Sequence, residues 1–332
     1  MRSTRKILRG VAVAAALGIT LAACSSQGGA QEEEAAGGGV GGGSVDTERL
    51  AIAMITHEQP GDTFWDKIRA GAEDAAQALN VELRYANNNA APQQATLVQN
   101  AIDTQVDGIA VTLAYPAAVG PAVQAAAQAG IPVVAFNSGI EQYEQFGAEM
   151  YFGSDEQLAG RTLGERIAAE GGGKAICVVQ EQGHVALETR CAGVAEGLPN
   201  TENLNVDGTD LPSVQATIAA KLQQDPAVTH IVTLGAPYAV AALQAKTDAG
   251  SEASVVTFDL NSEVAQLIAD GEIAFSVDQQ PYVQGFMAVQ SLWMNLTNGN
   301  DIGGGQPVLT GPSFVDASNI EQILPYAQNN TR

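Results

Sequence analysis

The polar groups of this chain that could do chemistry stand directly after short apolar runs: His57-Glu58-Gln59, Thr112 to Tyr115, Asn137-Ser138, Gln180 to His184, Asp259 and Asp278-Gln279. Such groups can move protons, hold a metal or bind hydroxyls by hydrogen bonds. Covalent chemistry lacks its usual marks. There is no G-x-S-x-G elbow, and the run Gly171 to Ala175, GGGKA, has neither the spacing nor the Ser/Thr of a phosphate-binding loop. The tract GGGVGGGS follows no strand and opens no helix, so no dinucleotide cofactor is expected. His57, His184 and His230 are far apart in sequence with no acid or cysteine at metal spacing, so no metal site is expected either. Binding is therefore the leading expectation and catalysis the rival, separated by whether a bound molecule is returned unchanged.

Groups this scattered act together only if the fold gathers the ends of the runs. From residue 50 onward, β-branched runs (RLAIAMI, VELRYA, DGIAVTL, IPVVAFN) alternate with longer Ala-rich amphipathic ones. The former are apolar on both faces, as strands of a parallel sheet covered by helices must be. The latter are expected to stop at Asn80, at residues 105–108 or at Gly130, as C-terminal caps. This predicts an α/β doubly wound unit. A polar bridge over residues 138–155 follows, and the alternation then resumes from Glu156 to Asp278. Two such units predict two Rossmann-like lobes with a cleft between them, and ligands of these sheets bind beyond the carboxyl ends of the strands. The length of 332 residues suits two cores better than one.

The N-terminus predicts the compartment. Arg2, Arg5, Lys6 and Arg9 precede the apolar run GVAVAAALGITLAA, the layout of a signal peptide and shorter than the ~20 residues of a comfortable membrane span. Leu21-Ala22-Ala23-Cys24 resembles the lipobox of bacterial lipoproteins, which implies that Cys24 becomes a lipid anchor on the outer face of the cytoplasmic membrane. Residues 25–46 then form a flexible, Gly-rich spacer. The whole chain carries a net charge of −22, and without residues 1–23 it has 11 Lys and Arg against 37 Asp and Glu, a net −26. That sign excludes nucleic acid as a partner and gives no attraction to anionic lipid. Cys177 and Cys191 remain as an even pair in an exported chain, expected to form a disulfide worth about 3 kcal/mol.

The ordered set GDTFWDKIRAGAEDAA, VVAFNS, LETRCAG, VVTFDLN and SVDQQPYVQG resembles the periplasmic sugar-binding proteins of the ribose-binding type, which share their fold with the sensor cores of LacI-like repressors. The resemblance covers residues 48 to roughly 325, and the place of a repressor's DNA-binding headpiece is taken by the leader and spacer. It implies the type I periplasmic binding protein fold, with a three-strand hinge. The expected organisation is a leader (1–23), a lipidated Cys and tether (24–47), an N-terminal lobe (48–138 plus 280–300) and a C-terminal lobe (139–279 plus 301–328). It also implies a monomeric receptor that captures a monosaccharide or polyol and passes it to the permease of an ABC importer. A receptor for a membrane sensor kinase is the rival within the binding class.

A sugar presents apolar C–H faces and a rim of hydroxyls, and so suits aromatic rings and planar polar groups. By the resemblance, Asp62, Phe64 and Trp65 open the first helix at the ligand, with Phe64 favoured in the cleft and Trp65 close behind. Arg190 and Asp259 bind hydroxyls from the second lobe, Gln279 does so at the crossover, and Asn137 ends a strand beside them. Thr112, at another strand end, is an expected contact. Two departures stand out. Asn137-Ser138 occupies the place of an acid and arginine in ribose binders, and Gly235-Ala236 the place of an Asn-Asp pair. Each lost charge-assisted bond is worth ~1.5–3 kcal/mol, so ribose itself is expected to fit poorly.

Overall fold

The computed structural model describes residues 45–59 and 61–332; the expected leader, Cys24 and nearly all of the tether lie outside the described residues. The first half begins with β1 (Leu50–Thr56), α1 (Phe64–Ala78), β2 (Val81–Asn87), α2 (Ala91–Asp103), β3 (Gly108–Val111), α3 (Pro116–Gln128), β4 (Val133–Asn137) and β5 (Met150–Ser154). The second runs through α4 (Glu156–Ala169), β6 (Lys174–Val179), α5 (Val185–Gly197), β7 (Thr201–Asn205), α6 (Leu211–Gln224), β8 (Val228–Thr233), α7 (Ala236–Ala249), β9 (Ser254–Phe258), α8 (Ser262–Ala269) and β10 (Phe275–Asp278). The chain closes with α9 (Pro281–Asn298), β11 (Val308–Gly311), β12 (Ser313–Asp316) and α10 (Ile320–Gln328).

Two six-stranded sheets result, ordered β11-β5-β4-β3-β1-β2 and β12-β10-β9-β8-β6-β7. All pairings are parallel except β10 with β12. β3, β4, β5 and β10 are buried along their whole length, as their two apolar faces require. The expected helix stops recur in the backbone: Asn80, Gln105 and Gly130 all adopt the left-handed conformation that ends a helix.

The expected lobe boundary at 138/139 is displaced. β5 pairs with β4, so residues 139–154 belong to the first lobe, and β11 pairs with β5, which returns Val308–Gly311 to it as well. The segment between β4 and β5 reads as a polar bridge because its apolar stretch is short and Gly147 and Gly153 flank or enter it, yet Met150 to Ser154 is fully buried. The chain thus crosses between lobes after Ser154, after Asp278 and between Gly311 and Ser313. The disulfide joins Cys177 on β6 to Cys191 on α5.

Candidate functional site

The three crossings set the two sheets with the carboxyl ends of their strands facing a common cleft. From the first lobe come His57 after β1, Asp62, Phe64 and Trp65 at the entry to α1, and Asn137 at the end of β4. From the second come Gln180, Glu181 and His184 after β6, Leu187 and Arg190 on α5, Leu234, Gly235 and Tyr238 around the start of α7, and Asp259 after β9. Gln279 enters at the second crossing.

Asp62 accepts the backbone N–H of Phe64 at 3.0 Å, which fixes the carboxylate at the mouth of α1. The rings of Phe64 and Trp65 meet edge to face, with centroids 5.2 Å apart, and both line the cleft. Neither is left purely to the core, because the first turn of α1 opens directly into the pocket.

The far wall is electrostatic. Arg190 forms a buried, two-point ion pair with Glu156 of α4, using Nε and Nη2, and its guanidinium lies 4.9 Å over the Phe258 ring. Glu156 thereby neutralises Arg190 and leaves Nη1 outside the pair. Asp259 accepts Gln279 Nε2 at 2.7 Å, and Gln279 Oε1 accepts Asn137 Nδ2 at 3.3 Å, a hydrogen-bonded bridge from one lobe to the other. The helix that follows Asp259 is capped instead by Asn261, so Asp259 is not committed to capping. Burial pushes the Asp259 carboxyl up to about 7, and burial does the same to Glu181. Burial also raises Asp62. Gln180 Oε1 is buried and has no partner among the described residues.

Thr112 does not reach the cleft. Its hydroxyl lies 2.7 Å from His57 Nδ1 and accepts from Gln94 Nε2, so it stands behind His57 as a support. The sequence reading did not single out Tyr238. Its ring occupies space that a side chain at residue 235 would contest, since a Cβ on Gly235 would sit 3.2 Å from that ring. The glycine, noted only as a departure, was the available sign.

The fold also gathers what the sequence keeps apart. One ligand-type atom each from His57, Glu181 and His184 lies within 4.8 Å of the others. Their hydrogen bonds nevertheless use every imidazole nitrogen. The Ala186 N–H can only donate, so His184 Nδ1 accepts it, and His184 Nε2–H then faces His57 Nε2 at 2.9 Å. His57 Nδ1–H is left to donate to Thr112, and the lone pairs of His57 Nε2 and His184 Nδ1 both accept hydrogen bonds in this arrangement.

Residues 52–301 match the family described as the periplasmic binding protein domain, and the chain belongs to that family. Its members bind solutes rather than transform them. Among curated relatives, a xylose/arabinose-binding protein of Sulfolobus acidocaldarius is 25% identical, over 82% of this chain and 72% of its own length. A xylitol-binding protein of Mycolicibacterium smegmatis is 26% identical, over 75% of this chain and 68% of its own. Among solved structures, a carbohydrate transporter of Acidothermus cellulolyticus in complex with myo-inositol is 52% identical, with a TM-score of 0.85, covering 86% of this chain and 100% of that one.

Proposed function

We propose that the chain is an exported, Cys24-anchored receptor that captures a neutral cyclic polyol or monosaccharide between its lobes and delivers it to an ABC permease. The observation that carries the ligand class is the excess of acceptors in the cleft. Asp62, Glu181 and Asp259 bring three carboxyls and Gln180 an unpartnered carbonyl, while the charge of Arg190 is already balanced by Glu156. A ligand that donates many O–H groups and carries no negative charge suits such a wall. Sugar phosphates and uronates do not, because they would bring charge of the same sign into a dry site. The phenyl and indole rings supply the matching surface for C–H faces. The complex of the Acidothermus relative with myo-inositol favours a cyclitol within this class, and the xylitol-binding relative is consistent with a polyol.

A thermal-shift panel on residues 46–332 tests the reading with myo-inositol, xylitol, ribose, xylose, arabinose, glucuronate and glucose 6-phosphate. A polyol present at 100 times its dissociation constant stabilises by ~2.7 kcal/mol, a clear rise in Tm, and is recovered intact. Ribose and the two anions are expected to give little or no shift. A shift from glucose 6-phosphate alone would refute the ligand class, and a polyol recovered chemically altered would refute the receptor.

A further inference from the structure

His57 and His184 lie in corresponding turns, β1 to α1 in one lobe and β6 to α5 in the other, and they touch across the cleft through their Nε2 atoms. Both are buried, and their ring centroids are 4.7 Å apart. The contact has a single arrangement of protons. A backbone N–H fixes one end of the relay at His184 Nδ1, and the Thr112 hydroxyl receives the other end from His57 Nδ1. A further proton on either ring has no place: on His57 Nε2 it would face the N–H of His184, and on His184 Nδ1 it would face the N–H of Ala186.

We propose that this imidazole pair is the latch that joins the lobes over the ligand, and that it forms only when both rings are neutral, so that capture is coupled to proton release below neutral pH. Closure and titration are linked because the rings are exposed to water when the lobes part and buried when they meet. The burial of the closed form agrees: it lowers His57 to about 3 and His184 well below its ordinary value. The sign follows. The open form binds more protons than the closed form below the ordinary imidazole range, so acid favours opening and alkali favours closure.

The charged and titratable groups facing the pair are Glu181 from the β6 turn, Arg190 from α5, Tyr115 at the start of α3 and Asp62 ahead of α1. Glu181 and Asp259, held high by burial, take up protons on closure over much of the same range and act in the opposite sense. The effect of the latch is therefore read as a difference between two proteins. Two imidazoles that titrate near ~6.5 only in the open form weaken binding by about 100-fold between about pH 7.5 and 5.5.

The inference rests on the polyol reading for its probe. The experiment is calorimetric titration of myo-inositol into the wild type and the double variant His57→Gln/His184→Asn at several pH values; the asparagine that replaces His184 retains a cap for α5. The expected result is a Kd that rises about 100-fold more in the wild type than in the variant over that interval. Parallel profiles overturn the latch. If the wild type does not bind myo-inositol at neutral pH, the cyclitol reading fails. The latch is then decided on the wild type by ring nitrogen NMR with and without whichever sugar or polyol of the panel raises its Tm, as it also is if the variant fails to fold or to bind. Rings that titrate in the free protein but stay neutral in the complex, protonated at His57 Nδ1 and His184 Nε2, uphold it, and rings that titrate alike in both overturn it.

Discussion

Asn137 and Asp259 end corresponding strands, β4 and β9, and both hold left-handed backbones, with φ of 65° and 67°. Asn and Asp tolerate that conformation better than other residues with side chains, so each position uses its residue type twice, once to turn the chain and once to present an oxygen or amide to the cleft. Asp259→Asn keeps the turn and removes the charge. Losing charge-assisted bonds of ~1.5–3 kcal/mol each should weaken polyol binding by about 10- to 150-fold in calorimetry, without loss of folding. The same variant has a pH signature. The native carboxyl is raised to about 7 by burial, so it contributes stability as pH falls from above 7 through the ordinary carboxylate range. Wild-type Tm should therefore gain on that of Asp259→Asn as pH is lowered over this window, and Tm differences that do not change with pH would contradict it. Glu156→Gln should leave the buried Arg190 charge unmatched, costing on the order of 3–5 kcal/mol in chemical denaturation and abolishing binding. Much of the candidate site was legible because its residues lie at strand ends or helix starts. Thr112 was misplaced because a strand end can support a neighbour as readily as it can face a ligand, and Tyr238 was hidden because its position depends on the space left at Gly235.

Among the elements, helix pairs that carry site residues pack through glycine. A Cβ on Gly71 of α1 would collide with the Tyr282 carbonyl of α9, and one on Gly285 of α9 with the Ile68 carbonyl. On the other side, Gly160 and Gly164 of α4 abut the backbone of α5, and Gly193 and Gly197 of α5 abut that of α4. Spacing of four places each pair of glycines on one helix face, so the backbones can approach closely. The Gly160 contact is with the Arg190 carbonyl itself, so the seam also sets the depth at which Arg190 enters the cleft. Gly160→Val should force the helices apart, lower stability by about 1–3 kcal/mol and weaken binding although residue 160 does not line the pocket. A melting curve and a titration on the same sample check both effects, and an unchanged Tm would remove the seam from the account. The strand and helix alternation was plain in the sequence from the two hydrophobic periods. β5 and β11 were not, because one is a short apolar run among polar residues and glycines, and the other carries an exposed Leu309.

Across the whole molecule the two sheets have the same strand order, with β11 and β12 supplying the equivalent outer strand to each. The lobes touch where the crossings and strand ends meet. The Val185 N–H donates to the Ala114 carbonyl at 3.0 Å, the Tyr115 hydroxyl to Glu181 at 3.2 Å, and Asn137 connects through Gln279 to Asp259. A ligand held by both walls favours this joined arrangement by the difference between its contacts in the closed and open forms. The triple crossing was beyond what alternation alone could give, since a strand-helix pattern does not say which sheet a strand joins. It was expected here from family resemblance, and the sheet pairings moved its first passage from residue 138 to residue 154. The central claim is that one neutral polyol is clasped between these lobes. Calorimetric titration of myo-inositol into residues 46–332 at neutral pH tests it most directly: the account predicts saturable heat with one site per chain, lost in Asp259→Ala. Absence of heat from myo-inositol and from xylitol, or an Asp259→Ala protein that binds as tightly as the wild type, would contradict it.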